Sequence, residues 1–176
     1  MPRFLRLSLL LALTATPAAA QGLPDAMTIF RTACIGGQFA APATLQLVRK
    51  YAQDGGFQLE VMPPDAVHLV NRSASDGWRV GNDRAVASVM LASRQTGDAV
   101  SRSCNVTTES LAFEEAKRRL SADFSPTLVG ERTEGTVRNA VYAVKIAGYD
   151  REIGFSVRSD PQLNITSVTF MEIPPN

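Results

Sequence analysis

TVRNAVYAVKIAGYDREIGFSVRSDPQLNITSVTFMEI, residues 136–173, is the stretch that decides the fold. Apolar and polar side chains alternate over Thr136–Ile146 and again over Arg151–Arg158, where Ile153, Phe155 and Val157 share one face. Leu163–Ile173 alternates in the same way. Gly148-Tyr149-Asp150 and Ser159-Asp160-Pro161-Gln162 separate these runs with turn-forming residues. A period of two with one apolar face is the pattern of a half-buried strand, and short turns make such neighbours antiparallel. The pattern predicts a three-strand meander.

Just upstream the period changes to that of a helix. Over Thr108–Phe124 the apolar positions are Phe113, Ala116, Leu120 and Phe124. Glu109, Glu114 and Glu115 come early and Lys117, Arg118 and Arg119 late, as a helix dipole favours. Thr108 is a suitable cap and Ser125-Pro126 a stop. Before this helix, Ala85–Ser93 and Ala99–Thr107 read as a hairpin across Gln95-Thr96-Gly97-Asp98, with Val100, Cys104 and Val106 on one face.

The first part of the chain reads as two helices, Leu23–Ile35 and Ala41–Asp54, each opened by a proline and closed by a glycine pair, Gly36-Gly37 and Gly55-Gly56. Ala26, Phe30, Ala33 and Cys34 recur at helical spacing in the first; Leu45, Val48 and Ala52 do so in the second. Phe57–Val61 reads as a short strand or extended link, and Asn71–Gly77 as a polar loop. Asp65–Val70 is not decided by its pattern, although Pro64-Asp65 can open one helical turn. The expected architecture is α+β: N-terminal helices packed on an antiparallel sheet of about five strands, namely a two-strand hairpin, a helix and a three-strand C-terminal meander. Residues 21–176 are expected to form one domain. The element order resembles sensor-type sheets of the PAS, GAF and profilin kind, and that resemblance implies a ligand-sensing domain.

Met1–Ala20 carries Arg3 and Arg6, then an apolar run Leu7–Leu13, then Ala18-Ala19-Ala20. That order is a Sec-type signal peptide with cleavage after Ala20, and the run is too short to span a bilayer. The implied location is periplasmic or secreted, with no membrane span left after cleavage. Cleavage removes two of 18 basic residues and none of 17 acidic ones, so the formal charge passes from +1 to −1. Such a balance gives no electrostatic case for nucleic acid. The only cysteines, Cys34 and Cys104, fall in the exported part, where two thiols most simply pair with each other. Their loop of roughly 70 residues implies about 4 kcal/mol at best from chain entropy.

Common chemistries lack their residues. One histidine and no C-x-x-C leave no metal cluster, and no glycine-rich loop suggests a cofactor, so metal and cofactor are both expected to be none. A hydrolase would have to use His68 with Ser73, Ser75 or Ser88, or an acidic pair such as Glu114-Glu115 or Asp150 with Glu152; no G-x-S-x-G elbow is present. No catalytic residue is assigned. Asn71, Asn105 and Asn164 match the N-x-S/T pattern, which has meaning only in a eukaryotic secretory route. The candidate interaction surface is Trp78-Arg79, entered from the polar segment before it; the competing reading buries Trp78 and leaves Arg79 in solvent.

These observations lead to an exported non-enzymatic binding or protein-interaction module whose partner is an envelope protein or a small ligand. The alternatives are a small exported hydrolase and the ligand-sensing domain above. The mature protein is predicted to begin at Gln21. Mass spectrometry of the native exported form checks this; a chain still carrying Met1–Ala20 would refute it.

Overall fold

Asp25 starts the first helix. In the computed structural model, which describes residues 22–160 and 163–173, its carboxylate accepts the backbone N–H groups of Met27 and Thr28 at 3.0 and 3.3 Å. This satisfies donors that a helix start would otherwise leave open. Helix α1 (Ala26–Ile29) runs directly into a π-helical segment (Phe30–Ile35), so the first helix is not the regular α-helix over 23–35 that the spacing predicts. The wider turns leave Phe30, Ala33 and Cys34 all buried. The segment 1–20, expected to be a signal peptide, and the turn residues Pro161-Gln162 lie outside the described residues.

Gly36-Gly37 does not stop this helix by adopting left-handed backbone. The positive φ values fall one step later, on Gln38 (46°) and Phe39 (64°). Gly37 is instead required by close approach: a Cβ there would collide with Thr44 Oγ1 at the start of α2 (Ala41–Gly55). Helix α2 ends as expected, with Gly56 left-handed at φ 67°.

The remaining elements are β1 (Gln58–Val61), α3 (Pro64–Val70), β2 (Ala74–Asn82), β3 (Ala85–Thr96), β4 (Ala99–Thr108), α4 (Phe113–Asp123), β5 (Thr127–Glu134), β6 (Val137–Ile146), β7 (Tyr149–Asp160) and β8 (Leu163–Glu172). All eight strands join one antiparallel sheet in the order β1-β2-β3-β4-β8-β7-β6-β5. The α+β class stands, but the sheet has eight strands where about five were expected. Two four-strand meanders meet back to back at β4 and β8, so the strand order is symmetric about that seam although the sequence has no visible repeat. The element order behind the likeness to PAS, GAF and profilin sheets is therefore not the one observed.

The missed strands have physical reasons. β5 is an edge strand with every residue exposed, so nothing selects for alternation. Its sequence, TLVGERTE, also carries a bulge between Leu128 and Gly130. β2 begins inside the segment read as a polar loop, because Ser75 and Asp76 sit at a register shift opposite β3. Helix α4 begins at Phe113 rather than Thr108, which is the buried last residue of β4 and accepts the Ser110 N–H at 3.2 Å. Val100 does not share the burial of Cys104 and Val106: it is 51% exposed, near the tip of the β3–β4 hairpin. The β6–β7 turn is Ala147-Gly148, one step before the predicted position.

One sheet face carries the core. Trp78, Val80, Val89, Cys104, Val106, Ile153, Phe155, Val168 and Phe170 pack there against Phe30, Val48, Ala52, Ala116 and Leu120 of the helices. Helix α3 takes the other face, where Val67 and Met62 pack with Ala74 and Met90 beside Gly77. Cys34 and Cys104 are joined, with Cα atoms 5.3 Å apart, which ties the first helix to the middle of the sheet. Asp25 supplies a second tie. Arg119 of α4 donates to both its carboxylate oxygens at 2.8 Å, and its backbone N–H donates to Tyr51 Oη of α2 at 2.7 Å. Burial pushes the Asp25 carboxyl up, but the bonds from Arg119 and Thr28 outweigh this and hold it at about 2.

Two predictions rest on this packing. Thr44 is fully buried and its hydroxyl has no partner among the described residues. Thr44→Val should therefore raise stability by about 1 kcal/mol, read as a higher denaturation midpoint at constant slope; a loss of stability would refute it. The second concerns acid. The Asp25 contribution is complete above its unfolded pKa near 4 and is lost as pH falls through about 2. The side chain is 40% exposed, so solvent screening limits this to about 1 kcal/mol. Asp25→Asn keeps the cap and should flatten the stability profile between those pH values; an unchanged profile would argue against the pair.

Candidate functional site

The sheet face opposite the core is covered by α3 only around Gly77 and Met90. Strand alternation places Ser101, Ser103, Asn105 and Thr107 of β4 on this outer face, beside Ser167 and Thr169 of β8 and Gly154 and Ser156 of β7. These side chains are short, half-buried and, at the seam, bonded to one another. Asn105 Nδ2 donates to Ser167 Oγ at 2.5 Å and to Thr169 Oγ1 at 2.8 Å. Thr107 Oγ1 donates to Asn105 Oδ1 at 2.7 Å and lies 3.2 Å from Ser167 Oγ. The network crosses from one meander to the other. Two shallow depressions flank it. One of about 420 Å³ is lined by Glu60, Arg79, Ser88, Thr107 and Ile165. The other, of about 520 Å³, is lined by Ser101, Ser103, Glu152 and Met171 with Asn71 and Ser73.

Trp78 and Arg79 do not form a joint surface. They are consecutive in β2, so alternation sends them to opposite faces. Trp78 is 2% exposed inside the core. Arg79 lies on the outer face, 3.6 Å from Glu60. Of the aromatic rings on the strands, Trp78, Tyr142, Phe155 and Phe170 pack in the core against the helices, while Tyr149, at the start of β7, is exposed beside Arg151 on the same side of the sheet. Among the described residues the outer face of the strands thus has no ring on which a sugar or a base could stack.

The residues considered for hydrolysis are not brought together. His68 is exposed on α3 and has no hydrogen-bond or ion-pair partner among the described residues. Ser75 Oγ donates to Asp76 at 2.7 Å. Glu114 accepts from Arg138 at 2.6 Å, while Glu115 accepts from Arg118 at 2.6 and 2.8 Å. The Arg118 bonds hold the Glu115 carboxyl below its ordinary range. A general acid needs the opposite displacement. Asp150 lies 3.8 Å from Lys145 at the exposed end of β7. Among the described residues no three metal-ligating side chains cluster, and no helix is long and apolar enough to cross a membrane.

The outer-face residues were overlooked in sequence because small polar residues carry no hydrophobic signal. Their signature was present in the other half of the alternation: Ser101, Ser103, Asn105 and Thr107 occupy successive odd positions of a strand already expected. No protein-family model, no curated protein and no solved structure matches the chain.

Proposed function

We propose that this chain is an exported, non-enzymatic module that docks a folded envelope protein on the outer face of its sheet. The observation that carries this reading is the pavement of short hydroxyl and amide side chains across β4 and β8, locked by mutual hydrogen bonds. Such side chains lose little rotamer freedom on binding and let a partner approach the sheet closely. The depressions beside the seam are open rather than enclosed, which favours an extended contact over a small molecule. The near-neutral charge and the absence of rings on this face favour protein over nucleic acid or carbohydrate. Export follows from the signal-like Met1–Ala20 and agrees with the cysteine pair.

A photo-crosslinking residue at Ser103 or Thr169, with Arg49 on the exposed side of α2 as control, tests the reading in intact cells. A discrete protein adduct from the outer-face positions alone, abolished by Ser167→Arg in a folded chain, is the expected result. Equal labelling from Arg49, or no adduct from either face, would overturn it.

A further inference from the structure

A small, partly open pocket lies on the helix side of the sheet, away from the face proposed for protein docking. It opens between the turn after the π-helical segment, the β6–β7 turn and the ends of β4, β7 and β8. Its volume is about 60 Å³. The floor is apolar. The Phe39 ring stacks on Phe170 with centroids 4.8 Å apart and planes 7° from parallel, and Ile35 and Ile146 fill the sides.

Two guanidinium groups line the wall. Arg102 stands 5.4 Å from the centre of the Phe39 ring and is engaged by Glu172 through two bonds of 2.7 Å. Arg151 is different. Its Nη2 is 3.9 Å from Glu172, beyond hydrogen-bond reach, and its Nη1 donates to the Asp150 carbonyl at 2.9 Å. That is the one hydrogen bond the Arg151 side chain makes among the described residues, although it is only 18% exposed and a guanidinium has five N–H donors. Two cations against one carboxylate leave the pocket with a net positive charge.

The backbone around this pocket is unusual as well. Gln38, Phe39 and Ala147, at φ 46°, 64° and 52°, are the non-glycine residues with positive φ among the described residues, and all three line it. Glycines stand beside each site, Gly36-Gly37 before the first two and Gly148 after the third, yet the left-handed conformation is imposed on side chains that disfavour it. Strain of this kind persists where the surrounding structure holds it and concentrates at binding sites. Here it seats Phe39 flat on Phe170 and brings Gln38 and Ala147 to the rim.

We propose that this pocket binds a carboxylate carried on a short apolar stem. The apolar floor takes the stem, and the free donors of Arg151 take the carboxylate in the planar geometry that a guanidinium offers. The net charge matches a monoanion. A free short-chain acid and the carboxyl end of a polypeptide share this chemistry.

Amide chemical-shift titration of the mature chain tests the site. The probes are isobutyrate, its neutral isostere isobutyramide, and a blocked tripeptide ending in valine. Saturable shifts at Phe39, Ala147 and Tyr149 with isobutyrate or the peptide are expected, and which of the two binds tells the source. Arg151→Gln should weaken binding by about tenfold or more, and Arg151→Lys, which keeps the charge but loses the fork, by less. Dispersed spectra of both variants establish that they fold. No saturable shift with either acid, equal shifts with isobutyramide, or unchanged affinity in a folded Arg151→Gln would each overturn the proposal.

Discussion

The covalent tie between Cys34 and Cys104 is the constraint on which the rest is arranged. Cys34 lies in a π-helical segment, and Cys104 lies on β4, one of the two strands at the middle of the sheet. The bond closes a loop of 70 residues that contains α2, β1, α3, β2 and β3, so it removes freedom from the unfolded chain over much of the first half. Loop-closure entropy puts the ceiling of its contribution near 4 kcal/mol, a large share of the stability of any domain this size. The other end of the same helix is held by Asp25, which caps it while binding Arg119 of α4 and Tyr51 of α2. Fixed at both ends, the helix delivers Phe30 to the core and Phe39 to Phe170.

The symmetric strand order explains how the two faces came to differ. Each meander is preceded by a helix on the core side, α2 before the first and α4 before the second, so the core face is closed by helices from both halves. Among the described residues nothing comparable crosses the outer face, apart from the short α3 inside the first meander. The seam between β4 and β8 is then both the centre of the core and the centre of the uncovered surface. Its outer edges are guarded differently. β5 carries a bulge and a run of charges, with Glu131 bound by Lys117 and Arg138, and this discourages further strand addition. β1 is only four residues long.

Legibility in the sequence followed burial. β6, β7 and β8 alternate because one side of each is packed against α4 and the first helix; β6 and β8 could be read to within one residue at each end, and β7 to within two. The cysteine pair could be read because helical spacing and strand alternation both pointed it inward. β5 could not be read, since an exposed edge strand needs only its backbone ladder. The start of β2 was hidden by Ser75-Asp76 at a bulge. Gly36-Gly37 reads as a helix stop, whereas the helix continues through the pair and the constraint at Gly37 is the missing Cβ against Thr44. Trp78-Arg79 failed as a surface for the reason that alternation succeeds elsewhere, since neighbours in a strand face opposite ways. The outer hydroxyls were visible as positions but not as a surface, because only the three-dimensional order reveals that β4 and β8 are adjacent.

The outer-face network also limits what binding there can achieve. Asn105, Thr107, Ser167 and Thr169 already satisfy one another in the free protein, so a partner that bonds to them exchanges hydrogen bonds rather than adding them. Such exchanges contribute little net free energy. Affinity must then come from area and fit, and a standard interface needs roughly 800 Å² from each partner. A contact of that size must spread well beyond the four bonded residues, over Ser103 and Ser156 and into the flanking depressions where Arg79 and Glu152 stand. Charged groups at that distance from the centre govern encounter and register more than strength. On the proposed reading, the surface is stable in water without a partner, and a partner would be selected by shape.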